Sequence, residues 1–272
     1  MERTVLVTGC SSGIGRATAE AFLAEDWTVW ASARDVADVS DLSDAGCETA
    51  ELDVTDPGDC ATAVAELVEA EGRIDCLVNN AGFSQTGPIE DVPTRRVHRQ
   101  FDVNLYGPHR LVREALPHMR EAGEGTIVNV SSVQGRLAMP GQGVYAASKF
   151  ALEGYSDALR VEAGRFGVDT VLVEPGPVET NFHDRGERES AALDRTPDYE
   201  FLYEAYEDAG SLQGVAGSTP EEVADVVVHA ATCADPATRY PVGKLSSWLL
   251  LGRYLPDRVR DRAFGLLARL IE

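Results

Sequence analysis

Apolar positions along this chain fall into two alternating kinds of segment. Residues 5–8, 28–32, 49–53, 76–79, 126–131 and 170–174 are short runs rich in β-branched and other apolar side chains, as expected of strands buried on both faces. Residues 15–26, 59–71, 96–121 and 143–166 carry apolar positions at helical spacing over lengths typical of helices. Strands alternate with helices, and helical crossovers between parallel strands are the economical topology for such an order. The pattern predicts an α/β fold with a doubly wound parallel sheet. A single domain over residues 1–272 is expected, because a chain of this length with 44% hydrophobic residues can build one substantial core.

The alternation lapses after Pro175-Gly176-Pro177 and resumes at Ser218-Thr219-Pro220-Glu221-Glu222, a capped helix start with proline in its first turn. The stretch between, residues 178–217, is too long for an ordinary loop in a compact domain. Tyr199, Tyr203 and Tyr206 recur there at helical spacing beside Phe201 and Leu202, which fits either a helical lid over a pocket or a peripheral helix packed on the core. Residues 245–272 mix Trp248-Leu249-Leu250-Leu251 with arginines, an amphipathic helical extension able to cover a pocket, pair with a second subunit or lie on a membrane surface.

Composition narrows the function classes. A formal net charge of −21 opposes binding to a phosphate backbone, so nucleic acid is not an expected partner. Asp and Glu total 45 against 24 basic residues, of which Lys149 and Lys244 alone are lysines. That balance suits a surface working in concentrated salt, where self-repulsion is screened; an acidic protein from a GC-rich genome would also show it. The five cysteines are scattered without a CxxC pair, and the histidines form no HxxxH pattern, so neither a disulfide framework nor a metal centre is expected. No run of about 18 apolar residues suggests a membrane span. The first strand begins too close to Met1 for a signal peptide, and a cytoplasmic location is expected.

Candidate chemistry enters with three motifs. Thr8-Gly9-Cys10-Ser11-Ser12-Gly13-Ile14-Gly15 joins the first strand to a helix, with TGxxxGxG spacing that allows a tight turn and close backbone approach to a pyrophosphate. At the end of the second strand, Ala33 stands where an acid would bind a free ribose hydroxyl, and Arg34 follows it. NADP(H) is therefore favoured over NAD(H), unless Arg34 pairs only with Asp35 or Asp53. Tyr145 and Lys149, four residues apart on one helical face, place an ammonium near a phenol and are expected to lower the phenol's pKa from about 10. Asn129-Val130-Ser131-Ser132 closes a strand where an open sheet gathers its site, and either serine could reach a substrate oxygen.

Together these motifs resemble the single-domain branch of the short-chain dehydrogenase/reductase family over residues 3–245. Asn79-Asn80-Ala81-Gly82, Asn104, Tyr145-Ala146-Ala147-Ser148-Lys149 and Pro175-Gly176-Pro177-Val178-Glu179-Thr180 stand in family order. The resemblance implies a Rossmann-type fold. It implies that Tyr145 exchanges a proton, Ser132 orients a carbonyl, Lys149 holds the nicotinamide ribose and Asn104 supports a water leading to Lys149. Gly9, Ser11, Ser12, Gly13, Ile14 and Gly15 would cradle the dinucleotide, with Asp53 and Val54 flanking adenine and Asn79, Ala81 and Gly82 along the cofactor. Pro175 and Gly176 would also line the cofactor, and Val178 and Thr180 would meet the carboxamide. It also implies a homodimer or homotetramer built through the helices at 96–121 and 143–166. The 29–35 segment and the tail are similar to steroid- and retinol-type members, so a hydrophobic alcohol or carbonyl compound is the expected substrate, with an acyl-thioester ketoreductase as the alternative. A catalytically idle dinucleotide sensor would be expected to lack Tyr145, Lys149 or Ser132. A methyltransferase would share only the glycine turn.

Overall fold

The computed structural model describes residues 3–211, 217–243 and 246–269. Seven parallel strands, β1 (Thr4–Thr8), β2 (Thr28–Ala33), β3 (Glu48–Glu51), β4 (Cys76–Asn79), β5 (Gly125–Val130), β6 (Val168–Pro175) and β7 (Arg239–Val242), form one sheet in the order β3-β2-β1-β4-β5-β6-β7. The fold is a single-domain Rossmann-type sheet. Its order reverses between β1 and β4, where an open parallel sheet leaves a crevice at the carboxyl ends of its strands.

Period-two alternation along the central strands builds two cores. Val5 and Val7 of β1, Val78 of β4 and Val128 and Val130 of β5 face one layer, packed against Phe22 of α1 (Gly13–Ala24). Leu6, Leu77 and Ile127 face the other, packed against α3 (Pro57–Glu71) and α5 (Gly107–Ala122). A short helix, α2 (Ser40–Asp44), precedes β3. Burial on both faces is why these strands read as continuous apolar runs.

The helix that carries Tyr145 and Lys149 is α6 (Gly143–Gly164), and a buried amide ladder fastens it to the sheet. Asn79 Nδ2 donates to Asn129 Oδ1 (2.8 Å), and Asn129 Nδ2 donates to Ser156 Oγ (2.8 Å). All three residues are buried. Strand ends β4 and β5 and the middle of α6 therefore cannot shift independently.

Three features go beyond what the sequence pattern predicts. The single helix expected at 96–121 is two helices, α4 (Thr94–Phe101) and α5, joined by a π-turn at Asp102–Tyr106. Pro108 lacks the N–H that would continue an α-helical ladder, and Gly107 presses on Val54, where a Cβ would come within 2.8 Å of Val54 Cγ2. β7 was not anticipated, because its sequence, RYPV, is half polar and contains a proline that only an edge strand accommodates. Residues 178–217 hold α7 (Phe182–Ala191) and α8 (Glu200–Ser211), with 212–216 outside the described residues. The chain continues through α9 (Pro220–Thr232), α10 (Ser246–Leu251) and α11 (Asp257–Arg269). Residue 244, and residues 245 and 270–272 of the expected tail, lie outside the described residues. Among the described residues no helix is long and apolar enough to cross a membrane.

Asn129→Ala should strand the Asn79 amide and lower unfolding stability by about 2 kcal/mol, read as a reduced urea midpoint. An unchanged midpoint would show that the ladder contributes nothing net.

Candidate active site

A cleft of about 1450 Å³ opens along the carboxyl edge of the sheet. One end is built from the turns after β1 and β4, which are tied together. Thr8 Oγ1 donates to Val78 O (3.2 Å) and accepts from the N–H groups of Asn80 (3.0 Å) and Ala81 (3.0 Å). Asn80 Nδ2 donates in return to Thr8 O (2.8 Å) and Gly9 O (3.3 Å). Gly9 and Gly13 adopt φ of +74° and +58°, the left-handed region that favours glycine. A Cβ at Gly15 would stand 2.3 Å from Gly9 O, so this third glycine lets α1 close on the turn. Ser12, at the helix N-cap, makes no side-chain cap, which leaves the first-turn N–H groups of α1 without that protein partner. The result is a backbone cradle that fits a pyrophosphate.

At the end of β2, Ala33 is buried and Arg34 is exposed at the cleft. Arg34 makes no ion pair among the described residues. Asp35 instead caps Ala37 N (2.9 Å), and Asp53 accepts from Thr55 N (2.9 Å) and Thr55 Oγ1 (2.8 Å). Burial raises the Asp53 pKa, but the two Thr55 hydrogen bonds, with help from Arg34 and Arg110, hold it below its ordinary value.

The other end gathers the titratable groups. Lys149 is 5% exposed and its Nζ donates to Val130 O (2.7 Å). Tyr145 is 6% exposed, and its ring meets that of Phe182 edge-on at 5.8 Å. Ser132 Oγ accepts from Gln134 N (3.1 Å) and lies 3.4 Å from Pro175 O, which ties the strand end to the Pro175-Gly176 segment. Burial pushes the Tyr145 phenol up to about 12, while a hydrogen bond from Ser132 pulls it down. Burial draws the Lys149 ammonium down to about 8, opposed by the Glu153 carboxylate. The lowering expected from Lys149 is not found: burial raises the phenol, and Ser132, not the lysine, is the group that opposes it. At neutral pH the phenol holds its proton and is set up as a donor.

Of the residues singled out in the sequence, Gly9, Ser11, Ser12, Gly13 and Ile14 line the cleft at the cradle, with Arg34, Asp53, Val54, Ala81 and Gly82 beside them. Ser132, Tyr145, Lys149, Pro175, Gly176, Val178 and Thr180 line the remainder. Three do not. Gly15 lies beneath the turn, Asn79 belongs to the amide ladder, and Asn104 is buried on the π-turn. Asn104 brackets Phe83, donating to its carbonyl (3.1 Å) and accepting from its N–H (3.2 Å), and its Nδ2 also reaches Ser148 Oγ (3.2 Å). In position 80, not 79, the asparagine borders the cleft. The 178–217 segment divides its aromatics. Tyr206, stacked on His183 at 4.5 Å, borders the cleft, whereas Tyr203 is buried with its hydroxyl on Asp91 (2.6 Å) and Tyr199 bonds Glu90 (2.8 Å).

This geometry agrees with comparison to known proteins. The family profile described as short chain dehydrogenase matches residues 3–190. The chain belongs to the short-chain dehydrogenase family. This short-chain dehydrogenase is 36% identical over 269 residues to the oxidoreductase YbbO of Escherichia coli (strain K12), covering 96% of this chain and 94% of that protein. It is 37% identical to human 17-beta-hydroxysteroid dehydrogenase type 1, over 88% of this chain and 77% of that one. A short-chain dehydrogenase from Streptomyces avermitilis, solved by crystallography, superposes with a TM-score of 0.83 at 33% identity, over 100% of this chain and 99% of that one. As a short-chain dehydrogenase it is an oxidoreductase enzyme whose fold binds a nicotinamide dinucleotide.

Thr8 and Asn80 stand in the sequence motifs without an assigned role, and the structure makes them the tie between the two turns. Both are buried or half-buried polar residues at strand ends, and only the tertiary pairing of β1 with β4 shows what they bond.

The shift at Lys149 has a measurable sign. Its folded value, about 8, lies below the ordinary 10.5, so between those pH values the folded chain has released a proton that the unfolded chain keeps. Stability from this group rises with pH across that window, by up to about 3 kcal/mol. The unfolding free energy of the wild type minus that of Lys149→Met should therefore increase from pH 8 toward 10.5. A pH-independent difference would contradict the burial of a charge at this position.

Proposed function

We propose that the cleft binds NADP(H) in preference to NAD(H) and interconverts a hydrophobic secondary or primary alcohol with its ketone or aldehyde. The observation that carries this reading is the convergence of Ser132, Tyr145 and Lys149 at one end of a dinucleotide-shaped cleft, with Arg34, which forms no ion pair among the described residues, at the other. The nicotinamide supplies or accepts the hydride when bound. Ser132 orients the substrate oxygen, and Tyr145 passes its phenolic proton to that oxygen as it gains charge, or takes it back in oxidation. Lys149 favours the phenolate left behind and presents its remaining N–H donors to the nicotinamide ribose. Asn104, fixed by Phe83 and Ser148, supports a water on the way to Lys149.

Arg34 supplies the cofactor preference, since its guanidinium can pair with a 2′-phosphate and stack on adenine. Asp53 and Val54 flank adenine in this reading, and Val178 and Thr180 meet the carboxamide. The substrate side is bordered by Met139, Phe182 and Tyr206, largely apolar groups, with α7 and α8 as its lid. Similarity to 17-beta-hydroxysteroid dehydrogenase type 1 supports a hydrophobic substrate.

Fluorescence titration with NADPH and NADH, followed by turnover on a panel of hydrophobic ketones and aldehydes, tests cofactor and chemistry together. Tighter NADPH binding is expected, reduced at least about tenfold toward NADH affinity in Arg34→Gln. Tyr145→Phe should lower turnover by about 10²–10⁴ while cofactor binding persists. Preference for NADH would overturn the role of Arg34; unimpaired turnover in Tyr145→Phe would overturn the proton-transfer assignment.

The same proposal includes a cytoplasmic enzyme from a salt-rich host, assembled as a homodimer or homotetramer through α5 and α6. A shallow groove bordered by Val112, Leu116, Pro117, Tyr155 and Leu159 supports that contact. Sizing chromatography and melting curves in rising KCl are expected to show an oligomer whose melting temperature climbs with salt; a monomer, or a salt-independent melt, would remove the corresponding part.

A further inference from the structure

Lys149 and Glu153 are one turn apart on the inner face of α6, and each is 5% exposed. An ammonium so deeply placed is costly unless an anion faces it. Glu153 is the charged group that opposes the effect of burial on Lys149. The other anions on the surrounding elements, like Glu153 itself, form ion pairs with arginines, but Glu153 is the one that shares the inner face of α6 with Lys149. Glu174 of β6, wholly buried, pairs with Arg136 (2.8 Å) after β5 and Arg239 (3.2 Å) on β7. Asp157 on α6 pairs with Arg160 (2.8 Å) and Arg239 (2.6 Å), Asp102 of the π-turn with Arg110 (2.7 Å), and Glu189 of α7 with Arg96 (2.7 Å) and Arg99 (3.1 Å) of α4.

Glu153 is itself under competing influences. Burial raises its pKa and the neighbouring Glu174 adds to the rise, while Ser131 and Arg239 oppose them. Arg239 Nε lies 3.0 Å from Glu153 Oε2. Without that guanidinium a buried carboxylate of this kind would tend to take a proton and lose its effect on Lys149. The loop after Ser132 rests on the same side chain: a Cβ at Gly135 would come within 2.9 Å of Glu153 Cγ.

We propose that Glu153 is a positioning residue, the buried counter-ion that keeps Lys149 protonated, and that Arg239 on edge strand β7 holds its carboxylate in place. The motif Tyr145-to-Lys149 then extends by one further turn of α6, and its charge balance depends on a strand that the motif does not include. This inference rests on the role proposed above for Tyr145 and Lys149. Its primary readout needs neither substrate nor turnover, so its failure and the failure of that role are separable.

The chain holds two lysines, Lys149 and Lys244, so NMR of protein carrying [13Cε]lysine gives two signals that Lys244→Arg assigns. Titration of the Lys149 signal is expected to move about one pH unit lower in Glu153→Gln, and less far in the same direction in Glu153→Asp. The alkaline limb of kcat/KM, where turnover is measurable, should move with it. An unmoved Lys149 titration in Glu153→Gln overturns the proposal even if melting temperature falls, because a purely structural contact would cost stability without touching the lysine. Should Glu153→Gln not fold, Glu153→Asp decides: a midpoint below that of wild type supports the proposal, and one equal to it overturns it.

Discussion

A parallel sheet gathers all its strand ends of one polarity on a single edge, and nearly everything in this molecule follows from that constraint. Each strand delivers its next segment to the same rim. β1 delivers the glycine turn, β2 Arg34, β4 Asn80-Ala81-Gly82, β5 Ser132 and β6 the Pro175-Gly176 segment. The rim therefore concentrates backbone groups and short polar side chains in one cleft, with two apolar cores behind it. The amide ladder from Asn79 through Asn129 to Ser156 sets the height of α6 against that rim, and α6 in turn carries Tyr145 and Lys149.

Packing those two residues at the base of the cleft creates an electrostatic tension that the surrounding structure resolves. Burial disfavours both charged forms, so it drives the phenol up and the ammonium down. Ser132 acts against the first shift and Glu153 against the second. The partners come from different places: Ser132 from the strand end facing the cleft, Glu153 from the buried side of the same helix, steadied by Arg239 across the sheet. In the proposed reading, a serine at the strand end and a carboxylate one helical turn beyond the lysine act on the charge states of Tyr145 and Lys149.

Much of this was legible in the sequence because apolar strands and glycine spacing are local signals. The first six strands, the turn Gly9–Gly15 and the helix carrying Tyr145 and Lys149 are visible as periodicity and spacing alone. What was illegible depends on tertiary neighbours. β7 reads as a polar, proline-bearing segment until it is seen at an edge, paired with β6. The π-turn at Asp102–Tyr106 has Pro108 as a local companion, but the close approach of Gly107 to Val54, distant in sequence, appears only in the fold. Asn79 and Asn80 are adjacent and chemically identical, yet one belongs to the core and the other to the cleft rim, a distinction set by which way each strand-end side chain points. The phenol's pKa could not be signed from Lys149 alone, since the competing burial is a property of the folded cleft.

Hydride transfer coupled to a proton from Tyr145 is the central claim, and its most direct measurement follows the hydride itself. With NADPH carrying deuterium at both C4 positions and a hydrophobic ketone, the account predicts one deuterium on the carbinol carbon of the product, at a rate that collapses in Tyr145→Phe while the variant still binds the dinucleotide. Product without deuterium, or deuterium transfer in Tyr145→Phe at the wild-type rate, would contradict it.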